Sequence, residues 1–375
     1  MHVSAAFDSG NIEVVDASDP ADLQLKIRFD EGSEHMQWFH FRVTGARGVP
    51  LTMRLMNAHA ASYPKAWAET RAVVSTDRVH WHRADTRYDK GELVIQHTPA
   101  GDTLSVAYFA PYSHERHLDL IDRIANRPRV RHDVLGRTLD GRDMDRLVIG
   151  EPSEGRRVFW IIGRQHPGET MASWWMEGFL DRLTDADDPV ARTLLEGAVV
   201  HVVPHMNPDG GARGHLRTNA VGTNLNRAWD EPTLEHSPEV KLVRDAMDAT
   251  GVDLNLDVHG DEELPYNFIM GAEGIAGWNE RHAELLDGFR SAYVRANPDF
   301  QTEHGYPVDR PNRANMSMCT NQVAQRFDCL AMTLEMPFKD NANAPDPVGG
   351  WSPARCRLLG ASALDPMVAV LPHLR

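Results

Sequence analysis

The first hundred or so residues alternate apolar and polar positions in short runs: Leu23, Leu25, Ile27 and Phe29; Phe39, Phe41 and Val43; Leu51, Met53 and Leu55; Leu104, Val106 and Tyr108. Extended chain points successive side chains to opposite faces, so a period of two with Gly, Pro and Asp between the runs predicts an antiparallel β-sandwich. Asp102-Thr103 and Ala110-Pro-Tyr-Ser113 bracket its last strand. A helix-like bridge near Leu118 to Ile124 follows, and the pattern then changes. Longer apolar runs at Val158 to Gly163, Ala198 to Val203, Val252 to Val258 and Leu330 to Glu335 alternate with amphipathic segments. Those segments are Met171 to Leu183, Pro238 to Ala249, Trp278 to Ala296 and Pro353 to Leu371. Such alternation predicts an α/β domain with helices covering a largely buried sheet. The expected division is 1–115 for the sandwich and 116–375 for the α/β unit.

Composition supports two cores and narrows the partners. At 375 residues and 42% hydrophobic content, the chain has enough apolar mass for both units. With 39 basic and 54 acidic residues the net charge is −15, which opposes general attraction to nucleic acid or to an anionic membrane. An acidic substrate would need a local basic pocket. Cys319, Cys329 and Cys356 form no paired framework, so core thiols in a reducing compartment are expected. The N-terminus lacks a basic segment followed by an apolar stretch, and no apolar run reaches the length of a membrane span. The expectation is a cytoplasmic protein without a removable propeptide.

Ligands of open α/β sheets gather beyond the carboxyl ends of the strands, and candidate chemistry collects there. His166-Pro-Gly-Glu169 directly follows the run ending at Gly163, and Asp257-Val-His259 closes the run at 252–258. Two His and one Glu leave a coordination position open for water, the arrangement of a catalytic zinc site. A chance His-x-x-Glu pair beside a strand is common, so His259 on a second strand carries much of that argument. Asn207-Pro-Asp-Gly210 suits an ordinary turn. Arg217 and the later Asn224-Leu-Asn226-Arg227 then place two arginines and amide groups in one loop region, where arginine can fork onto a carboxylate. Glu335 ends the last apolar strand, suited to proton transfer beside a metal-bound water, although pairing with a structural Arg would also account for it.

The order His166-x-x-Glu169, Asn207-Pro-Asp-Gly210, Arg217, Asn226-Arg227, His259, Glu335 resembles the zinc carboxypeptidases, in particular their cytosolic branch. That branch carries a β-sandwich ahead of the catalytic domain, often followed by a Pro-Tyr-Ser segment such as Pro111-Tyr-Ser113. The resemblance implies a mixed central sheet with helices on both faces and hydrolysis of the C-terminal peptide bond of peptides or proteins. It implies one Zn2+ per chain on His166, Glu169 and His259. Asn226 and Arg227 would hold the terminal carboxylate, Arg217 would stabilise the carbonyl oxygen as it becomes anionic, and Glu335 would handle the protons.

Two departures from the family pattern matter. Asn224 stands where many relatives have an Asp that accepts a hydrogen bond from a ligating His; Asp257, on the same strand face as His259, is a candidate to contribute some of the missing charge, and an ordinary strand-end Asp is the other reading. Relatives of animal type follow the second His with a basic stretch and favour glutamate, whereas here the chain continues Gly260-Asp-Glu-Glu-Leu-Pro265. Arg310 and Arg313 are alternative basic donors, with a solvated loop the other reading. Two rival functions share part of the pattern: a zinc-dependent deacylase of N-acyl amino acids, similar to aspartoacylase, and a non-catalytic zinc-binding protein. The residues of the sandwich do not choose between restricting access to large substrates and mediating a homo-oligomer.

Overall fold

The computed structural model describes all 375 residues. Two five-stranded sheets form the N-terminal part. In spatial order, one contains His2–Ser4, His40–Thr44, Thr103–Ala107, Val73–Ser75 and His82–Arg83. The other contains Glu13–Asp16, Leu23–Lys26, Leu51–Leu55, Glu92–His97 and Asp85–Asp89. Leu23, Leu25, Phe41, Val43, Leu51, Met53, Leu55, Leu104 and Val106 are buried, as the period of two requires. Pairing is antiparallel except between Leu23–Lys26 and Leu51–Leu55, which run parallel. The cause is the intervening strand His40–Thr44, which lies in the other sheet, so the chain re-enters its first sheet in the original direction. The first apolar run ends early. Phe29 is 52% exposed because the strand stops at Lys26 and the chain turns toward the second half of the molecule at Asp30.

The C-terminal part is built on a seven-stranded mixed sheet. Ala198–Val203, Arg157–Gly163, Leu254–Val258 and Leu330–Glu335 are its parallel centre in that spatial order. Val130–Arg137 and Asp143–Ile149 on one side, and Phe268–Met270 on the other, pair antiparallel. Alternation along Arg157–Gly163 shows how both faces are covered. Phe159 and Ile161 join the core containing Trp174 of helix Met171–Leu183 and Leu359 of helix Pro353–Ser362, whereas Trp160 and Ile162 join Val240, Val243 and Met247 of helix Pro238–Thr250. The last helical segment, expected as one piece, divides into Pro353–Ser362 and Leu364–Val370. Pro366 accounts for the break, since it lacks an N–H and its ring crowds the carbonyl four residues back at Ser362.

The sandwich core and the first of these faces are one continuous apolar cluster, running from Val43 and Met53 through Tyr108 and Phe338 to Phe159 and Leu359. Tyr108 stacks on Phe338 with ring centroids 4.5 Å apart. Burial of that cluster favours keeping the two halves together. The three cysteines are buried and unpaired. No helix is long and apolar enough to cross a membrane.

Candidate active site

The register of the central strands sets the site. Gly163 lies opposite Val258, and Val258 opposite Leu334, so the chain leaves three adjacent strands at the same edge. His166 and Glu169 follow the first, His259 the second, and Glu335 ends the third. Arg164 turns the backbone out of its strand with a φ of 59°. Its buried guanidinium then donates to Pro167 O at 3.0 Å and Tyr112 O at 2.8 Å, which fastens the His-Pro-Gly-Glu turn to the Pro-Tyr-Ser segment.

His166, Glu169 and His259 are the one group of His, Cys, Asp or Glu side chains whose candidate ligand atoms converge, all within 4.8 Å of one another. His166 Nδ1 lies 2.6 Å from Glu169 Oε1, His259 Nδ1 lies 2.8 Å from Glu169 Oε2, and the two Nδ1 atoms are 3.2 Å apart. The opposite nitrogens are occupied. His166 Nε2 lies 3.1 Å from Asn224 Oδ1, and His259 Nε2 lies 2.9 Å from Asp257 Oδ2. Each Nε2 is thus oriented by an acceptor, which leaves Nδ1 of each ring aimed at the Glu169 carboxylate, and against burial Asp257 and Glu169 raise the pKa of His259 well above normal. Two imidazole nitrogens and a carboxylate converging on one point fit a divalent cation with nitrogen and oxygen ligands, which would take the place of a proton between them. Burial, with Arg217 nearby, lowers His166 to about 3 and keeps its imidazole neutral. Burial opposes the charge on Glu169, yet His166 and His259 outweigh it and hold the carboxyl below its ordinary range. Gln165 braces the arrangement: its amide donates to Asp257 Oδ2 at 2.6 Å and accepts from Trp229 Nε1 at 2.8 Å.

A cleft of about 550 Å³ opens over this centre, and Arg217, Asn226, Arg227 and Glu335 line it beside His166 and Glu169. Asn226 Oδ1 accepts from Cys319 N at 2.9 Å, which fixes the amide. Neither Arg217 nor Arg227 takes part in any of the molecule's ion pairs. Arg227 is held below its ordinary pKa by burial and then by Arg217, so the cleft holds two guanidinium groups that no carboxylate meets at ion-pair distance. Glu335 is 7% exposed, and its Oε2 has no hydrogen-bond partner. Burial raises its pKa well above normal against the opposing pull of His259, and Glu169 adds to the rise. Asn207-Pro-Asp-Gly210 lies one layer back. Asn207 caps the short helix Pro208–Arg213 and donates to Gln165 O at 2.9 Å, while Asp209 binds Thr138, the Asp140 N–H and Arg142. Arg310 and Arg313 are exposed and do not line the cleft.

Residues 3–109 match the family described as cytosolic carboxypeptidase N-terminal domain, and residues 117–346 match zinc carboxypeptidase. The chain belongs to the zinc carboxypeptidase family. It is a metallocarboxypeptidase, a hydrolase of peptide bonds with a metal cofactor, and its two halves have the architecture of that family's cytosolic branch. A structure from Shewanella denitrificans, provisionally named carboxypeptidase A, is 50% identical with a TM-score of 0.99 over 100% of both chains. The metallo-carboxypeptidase of Pseudomonas aeruginosa in complex with (2-guanidinoethylmercapto)succinic acid is 44% identical with a TM-score of 0.98 over 100% of both chains. Mouse cytosolic carboxypeptidase 4 is 27% identical over 315 residues, which cover 71% of this chain and 28% of that protein.

Several residues at the cleft carried no signal of their own in the sequence. Tyr63 comes from the sandwich, and Arg217 Cζ lies 5.6 Å from its ring centroid. Tyr306 lines the opposite side and its hydroxyl donates to Asp261. Glu262 also lines the cleft, 5% exposed, with burial and then Glu169 pushing its pKa well above normal. Only the acidic character of 261–263 was visible beforehand.

Proposed function

We propose that the enzyme removes the C-terminal residue of peptides or proteins using one zinc per chain held by His166, Glu169 and His259. Asn224 and Asp257 orient the two imidazoles through their Nε2 protons. Zinc, when bound, polarises the scissile carbonyl and lowers the pKa of a water nucleophile. Arg217 supplies a charged donor to the carbonyl oxygen as it becomes anionic. Glu335 accepts the proton of the attacking water and returns it to the leaving amine. Asn226 and Arg227 hold the free terminal carboxylate.

The observation that carries the exopeptidase reading is the unpaired state of Arg217 and Arg227 in one cleft with the three ligands. Two guanidinium groups that no protein carboxylate pairs directly are free to take an anion, and a peptide C-terminus brings one. Replacing Arg227 by Ala is expected to raise KM about 10- to 100-fold, the worth of a charged hydrogen bond, with a smaller change in kcat. Comparing free-acid and C-terminally amidated peptides checks it. The advantage of the free acid should shrink in Arg227→Ala, and an unchanged ratio removes Arg227 from carboxylate binding.

For the released side chain, the family resemblance favours glutamate, but Arg217 and Arg227 are already engaged by the carbonyl and carboxylate. Asp261, Glu262 and Glu263 line the same cleft. That wall disfavours an acidic side chain and suits an uncharged or cationic one. The ligand named with the Pseudomonas aeruginosa relative joins a guanidino group to a succinic acid, a pairing of the same kind. Profiling residues released from peptides with acidic, basic, aromatic and aliphatic ends decides the matter: basic or neutral release supports the acidic wall as selector, and dominant glutamate release rejects it.

A further inference from the structure

The segment 214–219 that carries Arg217 has no helix or strand to hold it. Its position comes from the sandwich. Asp30, 2% exposed, accepts the Leu216 N–H on Oδ1 at 2.7 Å, and on Oδ2 the Arg217 N–H at 2.8 Å, the Thr218 N–H at 2.9 Å and the Thr218 hydroxyl at 3.0 Å. No Lys, Arg or His pairs with this carboxylate among the molecule's ion pairs. A buried carboxylate without a cation is tolerable only where N–H and O–H donors surround it, so Asp30 and this loop require one another. Two further contacts join the same segments. Asn11 Nδ2 donates to Gly214 O at 2.7 Å, and the Glu31 N–H donates to His215 Nε2 at 3.1 Å.

The loop's other side rests on the ligand turn. Gly168 N donates to Leu216 O at 2.9 Å, and a Cβ on Gly168 would stand 2.9 Å from that oxygen, closer than a side chain permits. Leu216 is thus held between the His-Pro-Gly-Glu turn and Asp30, with Arg217 as the next residue. The Arg217 guanidinium makes no hydrogen bond or ion pair of its own and meets the Tyr63 ring at 5.6 Å from its centroid, so its location in the cleft depends mainly on where its backbone is fixed.

We infer that Asp30 of the sandwich is a positioning residue for Arg217, setting the guanidinium where the carbonyl oxygen develops charge, so that the N-terminal half completes the active site. The inference rests on Arg217 acting as that donor. A misplacement of about 1 Å can cost on the order of 100-fold in rate, so the carboxylate's effect is kinetic even where the fold survives.

The test is a double-mutant cycle on the full-length, metal-loaded enzyme, with kcat, KM, bound metal and thermal midpoint measured for Asp30→Asn, Arg217→Ala and the pair. In Asp30→Asn the amide turns N–H groups toward N–H groups, and kcat should fall about 10- to 100-fold while KM and bound metal stay within about twofold. In the Arg217→Ala background, the same change should lower kcat by no more than about twofold, because its target is gone. Equal losses in both backgrounds, or an Asp30→Asn enzyme with undiminished kcat, overturn the positioning role. Wild-type kcat in Arg217→Ala sinks the oxyanion reading itself, a result distinct from either. If Asp30→Asn does not fold, Asp30→Glu, which keeps the charge and displaces its oxygens, is scored by the same cycle.

Discussion

Replacing Glu335 by Gln leaves the metal bound and stops turnover. The side chain ends its strand within the cleft, is almost fully buried, and has one oxygen without a partner. Gln keeps the shape and a hydrogen-bonding amide but cannot take up a proton. Positioned proton transfer contributes about 10²–10⁴ in rate, and kcat should drop by that order. The proposed ligand atoms belong to His166, Glu169 and His259, so metal content should not change. Elemental analysis beside kcat on an acylated dipeptide checks both halves; turnover within about tenfold of wild type would remove Glu335 from proton transfer. The pH profile adds a sign. A base acts in its ionised form, and burial is the largest cause of Glu335's raised pKa. Activity should therefore climb with pH through a midpoint above about 4.3, the ordinary value for Glu. Residual activity of Glu335→Gln should lack that limb.

The strand-end clustering was legible because it is local. A ligand turn directly after an apolar run, and a His closing the next run, place side chains at one sheet edge once parallel alternation is recognised. Helix Met171–Leu183 and strands Ala198–Val203 and Leu330–Glu335 begin and end at the residues read from the pattern. The break at Pro366 was also available, since an interior proline disrupts a helix. Asp30 and Tyr63 were not legible for a different reason. Asp30 stands in Phe29-Asp-Glu-Gly32, which reads as a turn, and its partners are backbone N–H groups more than 180 residues away that no residue type announces. Alternation with a period of two identifies a buried face but not the direction of the neighbouring strand, so the parallel pair Leu23–Lys26 and Leu51–Leu55 left no trace either.

Removing Glu169 should be the most damaging change to the proposed metal centre, because its two oxygens face both imidazoles, one at 2.6 Å and one at 2.8 Å. Glu169→Ala leaves two neutral donors and takes away the only charged one in the set, so both bound metal and hydrolysis are expected to disappear. Residues one layer out should behave differently. Losing an outer partner of a ligand costs about 10- to 100-fold in metal affinity, so Asp257→Asn and Asn224→Ala should still load at high metal concentration. Of the two, Asp257→Asn should be worse. Asp257 gives His259 a full negative charge that raises its basicity, whereas the Asn224 amide gives His166 only a dipole. Titrating metal into chelator-stripped protein, read by activity and by the rise in thermal midpoint on binding, orders the variants directly. Full metal content in Glu169→Ala would refute this ligand set, and equal losses in Asp257→Asn and Asn224→Ala would show that charge behind the imidazoles is immaterial here.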